Sequence, residues 1–273
     1  MARMHDTIGI IGGSGMLGSA ISRAILGSGE FENSNFWVSN RSGEAPELGQ
    51  SSDIHVTKNN QELVDACDVI VLCVPPAHFA DIDVRASDRL IVSVMAGVTI
   101  DEMRSKTGAG RIVRAMSSPA ASLALVYSPW VASAEVLPKD RNTVNAIFGW
   151  CGETDEIFDE RQIDHFTAMT GPVPGFVAYF AQCMVDHATS QGIDPGVADR
   201  AIRQLFLAGG TMLATDEARP EDLVRWMVDY AGTTAAGLTA MMDSTLSKTI
   251  SDGLLAAADK AKSMPRWAVL SSE

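Results

Sequence analysis

The first half of the chain alternates short runs of β-branched and apolar residues with stretches of helical periodicity. Between Thr7 and about Arg114 this alternation predicts a parallel sheet whose strands are joined by crossover helices. The run Val69–Val74 is apolar at every position, which is typical of a central strand covered on both faces. The predicted strands are Thr7–Ile11, Phe36–Ser39, Ile54–Val56, Val69–Val74, Leu90–Val94 and Arg111–Ala115.

The second half carries a different pattern, because strand signals stop after about Glu160 and long helical repeats follow. The apolar faces of the first two predicted helices are Phe176, Phe180 and Met184, and Ala201, Leu205, Ala208 and Met212. Gly209 and Gly210 lie inside the second helix, where each glycine costs about 1 kcal/mol relative to alanine, so we expect a close helix crossing there. The pattern predicts an α/β domain over residues 1–160 and an all-helical domain over residues 161–273.

Two helix starts are marked by their capping residues. Thr99 followed by Glu102 has the spacing of a capping box. Asp194 stands directly before Pro195, which places a cap residue ahead of a first-turn proline. We therefore expect helices to begin after Thr99 and after Asp194.

A glycine-rich turn follows the first predicted strand and precedes a helical pattern. Gly13, Gly15 and Gly18 match the G-x-G-x-x-G pattern of Rossmann-type dinucleotide domains, which is weak evidence alone but stronger between a strand and a helix. In this pattern the first glycine permits a tight turn, the second lets the backbone approach a pyrophosphate, and the third lets the helix pack closely. The predicted pyrophosphate contacts are Gly13, Ser14, Gly15, Met16 and Leu17, at a helix start that supplies amides.

The end of the second predicted strand discriminates between nicotinamide cofactors. An acidic residue there binds the ribose 2′-hydroxyl of NAD, whereas an arginine accommodates the 2′-phosphate of NADP. This chain has Asn40, Arg41 and Ser42 at that point, which supply one cation and two neutral donors. NADPH is therefore favoured over NADH. The alternative is that Arg41 is an ordinary solvated loop charge.

The charge balance and the cysteines narrow the classes of partner. The formal net charge is -13 and no basic cluster offsets it, so we expect neither nucleic acid nor an anionic membrane surface as a partner. The chain starts without the apolar stretch of a signal peptide, which predicts a cytoplasmic protein. The cysteines lack C-x-x-C spacing, so we expect buried reduced thiols and no metal site. They are Cys67, Cys73, Cys151 and Cys183.

Five further segments carry a family resemblance. Val38–Ser42 resembles the segment that follows the second strand in one known family. Val92–Thr99 resembles the "AAG" motif of that family, and Ile112–Met116 resembles its "VRxMPN" motif. Ile163–Gly175 resembles "DAxTALSGSGPA", and Gly232–Thr234 resembles the end of "SPGGTT". These segments belong to the pyrroline-5-carboxylate reductase family, which makes proline by reducing a cyclic imine with NAD(P)H. The chain resembles that family over nearly its full length.

The resemblance implies an assembly and further cofactor contacts. In the family the helices of two subunits interlock, dimers assemble further in some members, and the active site lies where a nucleotide domain meets the helical bundle. We therefore expect a homodimer or a higher homo-oligomer. The resemblance also places Val74, Pro75, Ala96 and Gly97 beside the cofactor.

The same resemblance implies a substrate site at the Gly-Thr-Thr loop. The family loop offers amides to the substrate carboxylate and a threonine hydroxyl to the imine nitrogen, and these groups map to Ala231 and Gly232–Thr234. The expected catalytic residues are Gly232, Thr233 and Thr234, with Thr234 the leading candidate. The alternative is that a threonine after glycine serves as the N-cap of a helix, which is compatible with substrate binding.

Several segments depart from the family near the expected chemistry. The glycine turn is one residue longer than "GAGNM", "KPQ" is replaced by Pro75–Ala77, "MPN" by Met116–Ser118, "SPGG" by Asp229–Gly232, and "GSGPA" by Gly171–Gly175. A carboxylate at Asp229 repels a carboxylate substrate unless it is paired or points away. We expect Tyr230 to be a packing residue, and the alternative is a proton donor that faces the pocket.

Three functions stay open on this evidence. The leading hypothesis is NADPH-dependent reduction of a cyclic imine, 1-pyrroline-5-carboxylate, to L-proline. The second is NADPH-dependent reduction of a different imine or carbonyl compound. The third is a non-catalytic NADPH-binding dimer, because a fold does not guarantee chemistry. His78, His165 and His187 show no ligand or dyad spacing, so we expect surface or core roles for them.

Overall fold

The computed structural model describes residues 6–45, 48 and 53–263, which form eight strands and ten helices. The strands are β1 (Ile8–Ile11), β2 (Phe36–Ser39), β3 (His55–Thr57), β4 (Val69–Leu72), β5 (Leu90–Ser93), β6 (Ile112–Ala115), β7 (Val126–Ala132) and β8 (Gly152–Glu156). The helices are α1 (Met16–Gly27), α2 (Asn60–Ala66), α3 (Ile100–Thr107), α4 (Pro138–Gly149), α5 (Gln162–Thr170), α6 (Gly175–Ser190), α7 (Pro195–Thr215), α8 (Pro220–Asp229), α9 (Thr233–Met242) and α10 (Leu246–Lys262).

All eight strands belong to one sheet with the order β3-β2-β1-β4-β5-β6-β7-β8. Neighbouring strands are parallel except β6 and β7, which are antiparallel. The six predicted strands are all present, with ends that differ by at most two residues. The sequence pattern does not predict β7 and β8, because Pro129 lies inside β7 and β8 consists mainly of polar residues.

The central strands are buried on both faces, as their continuous apolar runs predict. In β4, Val69 and Val71 join one hydrophobic core, whereas Ile70 and Leu72 join a second core on the other face. This division follows from the two-residue period of a strand. The sheet therefore provides a rigid platform whose carboxyl edge carries the loops described below.

Contacts between Cα atoms divide the chain into two compact units, made of residues 1–172 with 254–273 and of residues 173–253. Helix α5 belongs to the first unit, where Arg114 of β6 pairs with it. The Arg114 side chain is only 2% exposed, and its guanidinium lies 2.5 Å from Asp164 and 3.3 Å from Glu160. A buried cation needs such partners. The domain boundary after residue 160 remains a prediction.

The second unit exposes its apolar helix faces in the single chain. No residue of α6 is buried, and Phe180 of α6 and Met212 of α7 are 42% and 66% exposed. A Cβ atom added at Gly209 or Gly210 would meet no atom of the described residues within 4 Å. Within the described part of a single chain, no helix therefore crosses closely at these glycines. None of the helices in residues 6–45 and 53–263 is both long and apolar enough to cross a bilayer.

The two predicted helix starts are confirmed. Thr99 caps α3, where its hydroxyl accepts a hydrogen bond from the Glu102 amide at 3.2 Å and the Glu102 carboxylate accepts one from the Thr99 amide at 2.8 Å. Asp194 caps α7 by accepting a hydrogen bond from the Val197 amide at 3.0 Å, ahead of Pro195. Both caps satisfy amides that the helix itself leaves without partners.

We predict that Thr99→Ala lowers the free energy of unfolding by about 1 kcal/mol, because the cap of α3 is lost. Thr99→Ser keeps the hydroxyl and should retain most of that free energy. Urea unfolding followed by circular dichroism checks this, at one fixed protein concentration because assembly makes stability concentration-dependent. An equal loss in both variants would assign the effect to the threonine methyl group instead of the cap.

Candidate active site

The turn between β1 and α1 is built from glycines that leave no room for side chains. Gly12 adopts the left-handed conformation, with φ of 86°, and a Cβ atom there would lie 2.6 Å from the Cys73 carbonyl oxygen. The tight turn is therefore made at Gly12, which corrects its assignment to Gly13. A Cβ at Gly13 would instead lie 2.6 Å from a Val38 methyl group, so that glycine permits the turn to pack on β2.

The other two glycines of the pattern set the start of α1. Gly15 is the N-cap residue, and its carbonyl accepts a hydrogen bond from the Ser19 amide at 2.8 Å. A Cβ at Gly18 would lie 2.3 Å from the Gly12 carbonyl oxygen, which confirms that the third glycine permits close packing of the helix. The first turn of α1 contains no acidic residue. Its free amides and positive dipole end therefore suit an anion.

Two cavities lie at the carboxyl edge of the sheet, on either side of this turn. The β2-side cavity has a volume of about 490 Å³ and the β5-side cavity one of about 530 Å³. Both are lined by Gly15, Cys73, Val74 and Pro75, so they adjoin at the turn. This place, between β1 and β4, is where the strand order reverses, and such a switch point is where open α/β sheets bind ligands.

The two cavities differ in chemistry. The β2-side cavity is lined by the charged residues Arg41, Lys58 and Asp81, besides His78. Among the described residues, no charged residue lines the β5-side cavity, and its polar side chains are those of Cys73, Ser117 and Thr167. The two adjoining cavities, which we together call the cleft, thus offer a charged end, a helix start in the middle and an apolar end.

Most of the predicted cofactor residues meet in this cleft. Those that line one or both cavities are Ser14, Gly15, Met16, Leu17, Asn40, Arg41, Val74, Pro75 and Ala96. Gly13, Ser42 and Gly97 line neither cavity. Gly13 packs on β2, and Gly97 has a φ of 73°, so both shape the backbone.

Asn40 and Ser42 have their side chains committed to the loop that carries Arg41. The Asn40 side-chain oxygen accepts hydrogen bonds from the Gly43 amide at 2.7 Å and the Ser42 hydroxyl at 2.9 Å. The Asn40 side-chain amide donates to the Glu44 carbonyl at 2.8 Å. These bonds form a local turn of the kind that asparagine favours. The loop therefore holds its shape by itself and presents Arg41 to the cavity.

Sequence reasoning missed four polar residues of the β2-side cavity, namely Lys58, Asn60, His78 and Asp81. Asn60 accepts a hydrogen bond from the Ser39 hydroxyl at 2.8 Å. The His78 ring nitrogen Nδ1 lies 3.1 Å from the Asp81 carboxylate, and both side chains are more than half exposed, which agrees with the expected surface role of His78. The position of Lys58 could have been predicted from the sequence. It directly follows β3, which runs parallel to β2, so Lys58 lies at the same edge of the sheet as Arg41.

The predicted substrate residues lie in the second unit, at the start of α9. Gly232 is the N-cap residue, with no side-chain capping bond, and Thr233 and Thr234 occupy the first helical turn, where both are exposed. The capping alternative for Thr234 is therefore wrong, because the N-cap residue is Gly232, two residues earlier. Neither threonine hydroxyl caps the helix. The backbone amides of the first turn of α9 have no hydrogen-bond acceptor within the helix.

The residues before this helix start differ from the family motif. Ala231 adopts a left-handed conformation with φ of 56°, which favours glycine, the residue that "SPGG" has there. Asp229 ends α8, is exposed, and has no ion-pair partner within the described part of the chain. Tyr230 is 79% exposed in the single chain, and its role as a packing residue or a proton donor remains a prediction.

Two family models match the chain. Residues 160–264 match the model for pyrroline-5-carboxylate reductase dimerisation, and residues 7–97 match the model for NADP oxidoreductase, coenzyme F420-dependent. A curated relative, pyrroline-5-carboxylate reductase 2 of Bacillus subtilis, is 27% identical over 250 residues, which cover 89% of each chain. The matches therefore extend over both halves of the chain.

Solved structures give the same result. The chain is similar to 1-pyrroline-5-carboxylate reductase from Streptococcus pyogenes, with a TM-score of 0.78, 26% identity, and coverage of 94% of this chain and 98% of that chain. It also has the fold of the Plasmodium falciparum pyrroline carboxylate reductase with NADP bound, with a TM-score of 0.80, 22% identity, and coverage of 96% and 98%. The chain therefore resembles pyrroline-5-carboxylate reductases over nearly its whole length.

This set of matches confirms the fold class, a Rossmann-type domain with a parallel-dominated sheet followed by a helical dimerisation domain. It also confirms that the protein is an NAD(P)H-dependent oxidoreductase that uses NADP. The dimerisation match supports a homo-oligomer. In the described residues, no group of three His, Cys, Asp or Glu side chains is placed to hold a metal ion.

Three of the four cysteines are buried thiols, as expected, whereas Cys183 is exposed in the single chain. Burial raises the pKa of Cys67, Cys73 and Cys151 to about 12. Cys73 lines both cavities, but a thiol with this pKa is not a nucleophile at neutral pH. The cleft therefore contains no activated thiol.

We predict that Gly18→Ala weakens NADPH binding about tenfold or more, because the new Cβ forces α1 away from the Gly12 carbonyl and displaces the amides at its start. Gly27→Ala is the matched control, since it lies in the same helix and a Cβ there meets no described atom within 4 Å. Titration of NADPH by its fluorescence measures both. Equal affinities in the two variants would contradict this account of the turn.

We predict that the folded protein resists alkylation of Cys67, Cys73 and Cys151 near pH 8, because their pKa values of about 12 leave almost no thiolate. Iodoacetamide labelling followed by peptide mass spectrometry checks this, with urea-unfolded protein as the control. The same thiols ionise near pH 9.0 in the unfolded chain. The contribution of the buried, protonated thiols to the free energy of unfolding is therefore complete below pH 9 and is lost as the pH rises towards 12. Rapid labelling of folded Cys73 would contradict the prediction.

Proposed function

We propose that this protein catalyses the NADPH-dependent reduction of 1-pyrroline-5-carboxylate to L-proline. The observation that carries the proposal is the cleft at the glycine turn, which among the described residues is charged at one end and uncharged at the other. The first half of the chain matches an NADP oxidoreductase model, and the second half matches the pyrroline-5-carboxylate reductase dimerisation model. The substrate is proposed from the named relatives, and the cleft supplies the chemistry that such a reduction requires.

The residues of the cleft fit a dinucleotide in one orientation. Arg41 at the charged end suits the 2′-phosphate, and the start of α1 suits the pyrophosphate. The β5-side cavity, walled by Val74, Met95 and Ala96, suits the uncharged nicotinamide ring. When bound, NADPH supplies the hydride for the imine carbon. The protein orients this ring and keeps water from it, which accounts for much of the acceleration expected in such a reaction.

The start of α9 is the proposed site of substrate recognition. Its free amides and positive dipole end suit the substrate carboxylate. The Thr234 hydroxyl, which has no capping role, is proposed to hydrogen bond to the imine nitrogen and to hold its proton during reduction. Thr233 and Gly232 contribute backbone groups to the same turn. A protonated imine is already electrophilic, so this chemistry requires neither a metal ion nor a thiol.

A second candidate function is reduction of a different imine or carbonyl compound by the same site. The observation that favours it is the exposed and unpaired Asp229 close to the proposed carboxylate site. A negative charge there disfavours an anionic substrate and favours a neutral or cationic one. Tyr230, which is 79% exposed in the single chain, remains a candidate proton donor for such a substrate.

The proposed assembly is a homodimer built through the second unit. The exposed apolar faces of α6 and α7 need to be covered, and the dimerisation model spans them. A cytoplasmic location remains a prediction from the sequence.

We predict that the purified protein oxidises NADPH in the presence of 1-pyrroline-5-carboxylate, and that Thr234→Val lowers kcat about hundredfold because the proton-holding hydroxyl is lost. Thr234→Ser keeps the hydroxyl and should retain most of the activity. Loss of nicotinamide absorbance and chromatographic detection of proline measure the reaction.

The outcomes separate the three hypotheses. Turnover that Thr234→Val retains would remove Thr234 from the mechanism but keep the activity. NADPH binding without turnover of this substrate would overturn the proposed substrate, and a screen of neutral imines and ketones would then follow. Turnover in that screen would establish the second candidate function. Its absence would leave a protein that binds NADPH without catalysis.

A further inference from the structure

The β2-side cavity contains a second cation that the sequence did not single out. Arg41 and Lys58 both line it, in a chain with a formal net charge of -13. Neither side chain forms an ion pair within the described residues, and the acidic residue that lines the cavity, Asp81, is paired with His78 at 3.1 Å. Two unpaired cations in one cavity of an acidic protein indicate a site for an anion.

The backbone places Lys58 beside the loop that carries Arg41. Lys58 follows Thr57, the last residue of β3, and Thr57 pairs with Ser39, the last residue of β2. The Asn40 amide donates a hydrogen bond to the Thr57 carbonyl at 3.2 Å, which joins the two loops directly. Arg41 and Lys58 therefore both lie just after the ends of adjacent strands, at the same edge of the sheet.

The Lys58 side chain extends over the Arg41 loop. A Cβ atom at Gly43 would lie 2.6 Å from Lys58 Cε and 2.9 Å from its Cγ. Gly43 has a φ of 71°, so this position favours glycine for its backbone as well as for its contact. The aliphatic stem of Lys58 thus packs on the loop, and packing of this kind leaves the ammonium group in the solvated cavity.

We propose that Lys58 is a specificity residue that acts with Arg41 on the 2′-phosphate of the cofactor. The residues after the second strand of this fold meet the 2′ position of the adenosine ribose. The side chains of Asn40 and Ser42 form hydrogen bonds within their own loop, and neither carries a charge, so the phosphate must be neutralised by Arg41 and Lys58. A phosphate monoester carries close to two negative charges at neutral pH, which two cations balance. The proposal rests on the cofactor use stated above and not on the identity of the substrate.

The test compares two adenosine ligands that differ only in the 2′-phosphate, adenosine 2′,5′-bisphosphate and adenosine 5′-monophosphate. Both are titrated calorimetrically into the full-length protein and its variants. Lys58→Met removes the charge and keeps the stem that packs on Gly43, whereas Lys58→Arg keeps the charge. Lys139→Met is the matched control for net charge, because Lys139 is exposed on α4 and does not line the β2-side cavity.

We expect Lys58→Met to weaken binding of the bisphosphate about tenfold, as for loss of one charge-assisted contact, with the monophosphate unchanged. Lys58→Arg and Lys139→Met should bind both ligands as the unsubstituted protein does. In Lys58→Met the affinity for the bisphosphate should also fall less steeply with added salt.

Three results would overturn the proposal. Equal losses for both ligands would assign Lys58 to the rest of the nucleotide or to the fold of the loop. An unchanged affinity for the bisphosphate would show that Arg41 alone recognises the phosphate. A loss in Lys139→Met as large as that in Lys58→Met would show a general effect of net charge. Because no imine is present, failure of the proposed reaction does not affect the result.

Discussion

The carbonyl oxygen of Gly12 lies 2.3 Å from the place that a Cβ atom of residue 18 would occupy, and the rest of the nucleotide cleft depends on this close approach. It lets α1 begin directly above the end of β1, so that its free amides lie between β1 and β4 where the strand order reverses. The two cavities adjoin at that point, where Gly15 lines both and has no side chain to separate them. Any β-carbon at Gly12, Gly13 or Gly18 would have to displace the neighbouring strand, loop or helix.

Electrostatics divides the cleft into parts with separate tasks. The chain as a whole is strongly acidic, so an anionic cofactor must be held by local positive groups. These are the start of α1 and the cations Arg41 and Lys58, all on loops at one sheet edge. The β5-side cavity is lined by no charged residue in the described part of the chain, which suits a ring whose reaction requires exclusion of water. The charged end of the cleft therefore supplies affinity for the adenosine part of the cofactor, and the uncharged end holds the ring that reacts.

The second unit is incomplete as a single chain. Its helix α6 has no buried residue, and apolar side chains along α6 and α7 are exposed, although a helix of this composition gains stability only by burying that face. The match to a dimerisation domain supplies the reason. Association and folding of this unit are therefore expected to be coupled, because the apolar surface that stabilises the helices is provided by another copy.

The sequence by itself determined the features that depend on neighbouring residues. The six parallel strands, the glycine turn, the caps at Thr99 and Asp194, and Arg41 at the end of β2 were all predicted, because hydrophobic period, capping and turn chemistry are local. Only the tertiary structure decided which residues meet across the chain. It placed the left-handed turn at Gly12, added the antiparallel β7 despite Pro129, set α5 against Arg114, and brought Lys58 over Gly43. These depend on contacts between distant segments, which no local pattern specifies.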